Sequence, residues 1–260
     1  MHLRKGLKLW SVNTDTYRIE AQRLFAGGVF DYVELYVLPD SFDRLPLWKA
    51  LKTPYIVHCA HSVHGFNLAD RQRAELNRRI YEQAKRYADE LDAAYIIFHG
   101  GCDGTIEETA RQLAAFHESR ALIENKPRMP LPEVSAAKEC RGYSIGELRT
   151  VMETAKCGFC LDFGHAVCAA NSMRKEPYSY IRELFRLSPE VVHLSDIADM
   201  RSEYDNHPNL GTGQLDIAEL LRLLPEETPV TIETDKPSVK SLGRFEEECA
   251  LLCRLCRNGH

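Results

Sequence analysis

The sequence predicts an α/β fold, a single closed (β/α)8 TIM barrel that spans residues 1–260. Short runs rich in β-branched and aromatic residues alternate with longer amphipathic stretches along the whole chain. Eight such runs can be found, which is the number of strands that closes a parallel barrel. The length of 260 residues suits one large domain of this kind, and no linker rich in Pro, Gly or Ser divides it.

Each predicted strand is a short apolar run. In chain order they are LKLWSV (7–12), DYVELYV (31–37), PYIVHC (54–59), AYIIFH (94–99), ALIEN (121–125), GFCLDF (158–163), EVVHLSD (190–196) and PVTIET (229–234). Amphipathic stretches predict helices over 68–91, 105–118, 144–155, 214–224 and 241–256. Segment 38–53 is a poor helix because Pro39 and Pro46 interrupt it. A doubly wound open sheet is the alternative, but no G-x-G-x-x-G follows the first strand.

Composition narrows the setting and the partners of the protein. No run of about 18 apolar residues occurs, so we expect no membrane span. The N-terminal MHLRKGLKLW lacks the apolar core of a signal peptide, and nine cysteines without a regular framework indicate a reduced, cytoplasmic setting. A net charge of −5 gives no overall attraction to nucleic acid, so binding to nucleic acid would need a local basic face. Nothing in the sequence calls for an obligate protein partner.

The long loops 125–143 and 197–213 are expected to be functional.

Six consecutive predicted strands end on residue types that bind divalent metals. Strands three to eight end on His58, His99, Glu124, Asp162, His193 and Glu233. In a barrel these ends converge on one mouth, where active sites lie. A single strand-end histidine is more often structural, and a single strand-end Asp is often the N-cap of the next helix. Six in succession fit those explanations poorly, and crowded carboxylates repel one another unless a cation neutralises them. A metal centre is therefore expected.

Two loops add three further candidate ligands. His165 follows the sixth strand, and Asp205 and His207 lie in the loop after the seventh. An Asp-x-His pair on an irregular loop can direct both side chains at one ion. Two histidines and one carboxylate would leave coordination positions open for water or substrate.

The ordered segments IVHCAH, IIFHGG, ALIEN, CLDFGHA, VVHLSD, DNHPNLGTG and TIETD resemble the motifs of the endonuclease IV group. This group is the AP endonuclease family 2 branch of the xylose isomerase-like TIM barrels. The resemblance implies a trinuclear zinc cluster in which all nine ligand positions are filled. It places His58, His99 and Glu124 on one metal, the shared Glu124 with Asp162, His193 and Glu233 on a second, and His165, Asp205 and His207 on a third. It implies up to three zinc ions, although four carboxylates also suit Mn or Fe.

The resemblance implies metal-assisted hydrolysis of a phosphodiester, with baseless sites in DNA as the expected substrate and the metals activating the attacking water. The alternative is an isomerase or epimerase of a sugar or sugar phosphate on the same barrel. Such enzymes use one divalent metal held by Glu124, Asp162, His193 and Glu233, with the two glutamates as acid and base. Glu124 and Glu233 are thus the expected catalytic residues in either case. The five additional ligands favour the hydrolase.

The chain departs from the endonuclease IV motifs after the third strand. Where that family has an aromatic residue that enters DNA, the loop reads CAHSVHGFN and offers His61 or His64, with Phe66 as a candidate stacking residue. Glu34, on the second strand, either orients a metal-bound histidine or forms a structural ion pair. Basic residues in the loops after strands five to eight form either a phosphate-binding rim or solvated loop charges. They are Lys126, Arg128, Arg174, Lys175, Arg201 and Lys236.

Overall fold

The eight strands close into one parallel barrel in a computed structural model of the protein, which describes residues 2–133 and 135–258. The strands are β1 (Arg4–Trp10), β2 (Tyr32–Tyr36), β3 (Tyr55–His58), β4 (Ile96–His99), β5 (Ala121–Glu124), β6 (Gly158–Asp162), β7 (Val191–Leu194) and β8 (Pro229–Ile232). Each strand pairs with its neighbours in the chain, and β8 pairs with β1. The predicted closed barrel is confirmed and the open sheet is wrong. A single domain over 1–260 stays a prediction.

Helices cover the outside of the barrel. They are α1 (Asp15–Ala26), α2 (Leu45–Lys49), α3 (Ala74–Glu90), α4 (Ile106–Ala114), α5 (Ile145–Ala155), α6 (Phe163–Ser172), α7 (Pro177–Phe185), α8 (Ile217–Leu221) and α9 (Gly243–Asn258). Each of the five predicted helices is present, with ends that differ from the prediction by up to six residues. The segment 38–53 holds only the five-residue α2, with Pro46 in its first turn. No described helix has the length and apolar character needed to cross a membrane.

Helix α6 has no sequence pattern that predicts it. Its residues FGHAVCAANS are apolar almost throughout, and the first eight of its ten residues are buried. A helix buried on every side lacks the 3.6-residue alternation of polar and apolar positions. The Asp162 carboxylate begins the helix by accepting a hydrogen bond from the His165 amide at 2.7 Å.

Side chains along each strand alternate between the barrel interior and the layer beneath the helices. An apolar interior layer is formed by Tyr32, Ile56, Ile97, Leu122, Cys160 and Val191. Two residues further along the same strands lie Glu34, His58, His99, Glu124, Asp162 and His193. Because residues i and i+2 share a face of a strand, these six side chains form the next layer, at the C-terminal mouth. The alternation of the strands thus positions the candidate site.

Gly6 lets an aromatic ring fill the barrel below that mouth. A Cβ atom at Gly6 would lie 2.4 Å from the ring of Tyr32. The Tyr32 hydroxyl bonds to Thr231 Oγ1 at 2.9 Å, which satisfies its polar end inside the barrel. A larger side chain at position 6 would displace this ring and disturb the floor of the site.

Candidate metal centre

Glu124, at the end of β5, lies at the centre of the cluster. Its Oε2 atom is 2.9 Å from Nε2 of His58 and 3.0 Å from Nε2 of His99. Its Oε1 atom is 2.9 Å from Nδ1 of His165. Burial alone would raise the pKa of Glu124, but the imidazoles of His99 and His193 outweigh it and hold that pKa well below its ordinary value. One ionised carboxylate therefore joins several imidazoles.

His193, on β7, faces three carboxylates. Its Nδ1 atom lies 2.8 Å from Glu233 Oε2, 3.7 Å from Glu124 Oε2 and 4.0 Å from Asp162 Oδ2. Its other ring nitrogen, Nε2, lies 2.9 Å from Glu34 Oε2. When the imidazole is neutral, Nε2–H donates to Glu34 and the Nδ1 lone pair faces the three carboxylates. This arrangement is typical of a histidine that a carboxylate orients for a metal.

Asp162 combines the two roles that the sequence left as alternatives. Its Oδ1 atom caps helix α6 by accepting from the His165 amide, while Oδ2 points into the cluster without a hydrogen bond. His165 is 3 % exposed and so is not a surface residue. Asn125 fixes the end of the strand by exchanging 2.8 Å and 2.9 Å hydrogen bonds with the Asp162 backbone. The cap and the candidate ligand are one side chain.

His165, Asp205 and His207 form a third group. Asp205 Oδ2 lies 3.3 Å from Nε2 of His165 and 2.6 Å from Nε2 of His207. The Nδ1 atom of His165 bonds to the Asn125 carbonyl at 2.9 Å, which turns Nε2 toward Asp205. His207 has φ +42°, a left-handed conformation that costs energy for a residue with a side chain and recurs at functional sites. A continuous set of contacts thus joins all nine predicted ligands.

Lys8 belongs to the site although the sequence pattern did not single it out. Its Nζ atom lies 2.6 Å from Glu34 Oε1 and 3.2 Å from Glu233 Oε1. Burial would lower the pKa of Lys8, but Glu233 and Glu34 outweigh it and raise that pKa, so the amine is charged. The available signal was a lysine between two leucines in a parallel strand whose two faces are both buried. Lys8 holds one oxygen of Glu233 and leaves the other facing His193.

Glu34 contacts both a lysine and a histidine of the cluster. It accepts hydrogen bonds from Lys8 Nζ at 2.6 Å, from Thr231 Oγ1 at 2.6 Å and from His193 Nε2 at 2.9 Å. Burial would raise the pKa of Glu34, but His193 and Lys8 lower it to about 2. Glu34 is therefore an ion-pair partner of Lys8 and an anchor for the His193 ring.

Buried polar atoms without a good hydrogen bond are concentrated in this cluster. Among the described residues they include Glu124 Oε1, Asp162 Oδ2, His193 Nδ1, Asp205 Oδ1, His207 Nδ1 and Glu233 Oε2. Buried polar groups are normally satisfied, so several that face one another indicate a site built for an ion. Imidazole and carboxylate donors suit zinc, and also Mn or Fe. The residues present therefore fit divalent cations.

Phe66 is a core residue, and its expected stacking role is wrong. It is 1 % exposed and packs against Phe98 and Phe116 with ring centroids 6.1 and 6.5 Å away. An aromatic residue shortly after a strand belongs to the core as readily as to a substrate surface, so the pattern alone could not decide. His61 instead stacks on the ring of His99, at 5.2 Å and an interplanar angle of 10°.

Trp10 is an exposed aromatic residue beside the same mouth. It is 42 % exposed and lies against Tyr36 and His64, with ring centroids 5.0 and 5.7 Å away. The Tyr36 hydroxyl bonds to His64 Nδ1 at 2.7 Å. The sequence pattern marks no functional residue at the end of β1, because an aromatic residue is common within strands.

The cluster predicts how stability depends on pH in protein stripped of metal. Burial alone would lower the pKa of both His165 and His207, but Asp162 raises the first to about 10 and Asp205 raises the second to about 9. A pKa above the unfolded value of about 6.5 gives stability that is complete below pH 6.5 and is lost as the pH rises through 9 to 10. Because one pKa unit corresponds to about 1.4 kcal/mol, we expect chelated protein to lose several kcal/mol of folding stability, or roughly 10 °C in Tm, between pH 7 and pH 10.

Thermal melts over this range, with and without chelator, check the expectation. Metal-loaded protein should lose less stability over this pH range, because the cations replace the protons as partners of the carboxylates. Parallel loss of Tm in the two samples would contradict the arrangement of charges described above.

Several solved structures share this fold, and their descriptions name different kinds of protein. A D-tagatose 3-epimerase-like protein aligns with a TM-score of 0.73 at 17% identity, covering 98% of this chain and 97% of that one. The TTHB071 protein of Thermus thermophilus, soaked with ZnCl2, aligns at 0.70 and 24% over 100% of both chains. Endonuclease IV of the same organism aligns at 0.65 and 20% over 98% of both. At these identities the likeness shows the fold alone.

The sequence comparisons decide the family. No curated protein matches the chain. The family model described as Xylose isomerase-like TIM barrel matches residues 26–255, a stretch that holds all nine predicted ligands. Because this match covers well over half of the sequence, the chain belongs to the xylose isomerase-like TIM barrel family.

Proposed function

We propose that the protein is a metal-dependent phosphoesterase that hydrolyses a phosphodiester, with DNA at a baseless site as the expected substrate. The observation that carries the proposal is the third ligand group. His165, Asp205 and His207 lie together, and His165 also contacts Glu124 at 2.9 Å. An isomerase with a single metal has no use for this group. A cluster of ions suits the charge of a phosphoryl group.

The nine side chains divide among three proposed metal positions. His58 and His99 with Glu124 would hold one ion, and Glu124 with Asp162, His193 and Glu233 a second. His165, Asp205 and His207 would hold a third. Bound divalent ions would supply Lewis acidity and a water nucleophile at neutral pH. The protein itself would keep Glu124 ionised between the first two positions and hold the His193 ring and Glu233 in place through Glu34 and Lys8.

Lys126 supports an anionic substrate. Its Nζ atom lies 3.0 Å from His165 Nε2, and the side chain lines a cavity of about 210 Å³ together with His99 and His207. Within residues 2–133 and 135–258 it forms no ion pair with a carboxylate. By contrast, Arg128, another predicted rim residue, pairs with Glu139 at 2.8 Å. A phosphate oxygen of the substrate would give the amine of Lys126 the anionic partner it lacks.

A sugar isomerase or epimerase is the second candidate, and one observation favours it. Glu124, Asp162 and Glu233 each approach the Nδ1 atom of His193 within 4.0 Å, which by itself makes a site for one metal. The two glutamates could then move a proton beside a carbonyl. This chemistry needs neither His58 and His99 nor the third group.

Metal content tests the proposal. Protein purified without chelator and dialysed against zinc should hold more than one ion per chain, with zinc expected because five of the nine ligands are imidazoles. His207→Ala should hold fewer ions than wild type. His2→Ala removes an exposed histidine outside the cluster and should change nothing. Elemental analysis that finds at most one ion per chain under these conditions would favour the isomerase.

A further inference from the structure

Two cysteines face each other in the wall of the site. Cys102 follows β4 and Cys140 lies near the end of the long loop 125–143. Both are 6 % exposed, and their sulfur atoms are 3.6 Å apart and hydrogen-bonded. They are 38 residues apart in the sequence, so no cysteine spacing motif marks them.

The backbone holds this pair in register. Cys102 and Cys140 form an isolated antiparallel bridge. Two backbone hydrogen bonds of 2.8 Å flank it, from the amide of Asp103 to the carbonyl of Glu139 and from the amide of Arg141 to the carbonyl of Gly101. Because these backbone hydrogen bonds join the neighbours and not the cysteines themselves, the backbones of Cys102 and Cys140 form a non-hydrogen-bonded pair, the kind in which the two Cα atoms lie about 4.5 Å apart. That separation lies within the range that a disulfide spans without backbone movement.

The pair is reachable and chemically asymmetric. Both cysteines line the cavity that is also lined by His99 and Lys126, so the pair lies where a small molecule enters the site. The hydrogen bond with Cys140 lowers the pKa of Cys102 to about 7, and the same bond raises the pKa of Cys140. Cys102 is therefore the thiol with more thiolate character, and hence the one that attacks first.

We propose that Cys102 and Cys140 are a reversible disulfide site, oxidised by a small-molecule disulfide such as glutathione disulfide. The Cys102 thiolate attacks one sulfur of the oxidant, forms a mixed disulfide and releases the first thiolate. Cys140 then gives its proton to solvent, attacks the Cys102 sulfur and displaces the second thiolate. Two protein thiols lose two electrons in total, and one small disulfide becomes two thiols.

The bond would fix one wall of the site. Loop 125–143 carries Lys126, Met129 and Leu131 on the cavity side, and the Cys102–Cys140 bridge ties this loop to the segment after β4. A covalent link would limit local opening of the loop and hold Lys126 near the third ligand group. The two thiols and the loop would form this link whichever reaction the site catalyses.

The thiols can be tested on the full chain. Every protein in this test carries Cys253→Ser, because the exposed Cys253 would otherwise form an adduct with glutathione. The protein with this substitution alone is the parent. After treatment with glutathione disulfide, the parent should lose two of its eight thiols and yield one linked peptide pair, Cys102 with Cys140, which dithiothreitol releases. Cys102→Ser and Cys140→Ser should each give no intramolecular link. Failure of the parent to link, or a link between other cysteines, overturns the proposal.

The effect on the loop has its own readout. Trypsin cleaves after Lys138, an exposed residue of the loop, and after Lys240, which is exposed elsewhere on the protein. Oxidised parent should be cut at Lys138 about fivefold more slowly than reduced parent, with cleavage at Lys240 unchanged. The Cys140→Ser variant should show no such difference. Equal rates at Lys138 in a parent shown to be linked would overturn the control of the loop by the disulfide.

Discussion

Replacing Glu124 with glutamine is expected to reduce phosphodiester cleavage on the order of 10²–10³-fold, since it removes an electrostatic element at the centre of the site. The Glu124 carboxylate lies within 3.0 Å of His58, His99 and His165, and its negative charge is what would join two of the proposed metal positions. Glutamine has nearly the same shape but carries no charge, and it offers one oxygen instead of two.

The Glu124→Gln experiment compares cleavage rate and metal content with those of wild type. Both should fall together, while circular dichroism should show a folded barrel, because the strands themselves are unchanged. Glu75→Gln makes the same chemical change on the exposed face of α3 and should leave both quantities as they were. A Glu124→Gln protein that keeps more than about a tenth of the wild-type rate would be inconsistent with an electrostatic role of this size.

Asp205→Asn combined with His207→Ala separates the two candidate functions. The double substitution empties the third ligand group and leaves Glu124, Asp162, His193 and Glu233 in place. For a phosphoesterase it should cost on the order of 10²–10³ in cleavage rate, the effect of losing one charge-stabilising element. For an isomerase the four remaining residues carry the proton transfer, so turnover should change far less.

This experiment is a paired one. Phosphodiester cleavage and ketose epimerisation are measured on wild type and on the double variant, with folding checked by circular dichroism. Asp199→Asn, on the same loop but exposed, is the matched control and should behave as wild type. The isomerase would be the function if wild type epimerises a ketose, the double variant keeps this activity and neither protein cleaves the phosphodiester.

The barrel and its mouth were accessible from the sequence because they depend on local patterns. The alternation of strands and helices follows from the local sequence pattern. In a parallel barrel, the last residue of each strand lies at the C-terminal mouth. His58, His99, Glu124 and Asp162 each end a strand in the structure, and the predicted strands end on these residues or one residue beyond them. The period of two that defines a strand also decides that they point into the barrel.

What the sequence could not predict depends on contacts between distant segments. Lys8 gains its role from Glu34 and from Glu233, which lie 26 and 225 residues further along the chain. The facing of Cys102 and Cys140 depends on the path of loop 125–143, which no local pattern specifies. The sequence pattern does not predict helix α6, because a helix that is buried on every side has no amphipathic pattern. In each case the physical cause lies in tertiary packing.

The most direct test of the phosphoesterase proposal is cleavage of an oligonucleotide duplex that carries one baseless site. Metal-loaded protein is incubated with the labelled duplex, with and without chelator, and the products are separated on a denaturing gel. We expect a nick at the baseless site, which chelator should abolish and added zinc should restore. An intact strand with protein that elemental analysis shows to be fully metal-loaded would contradict it.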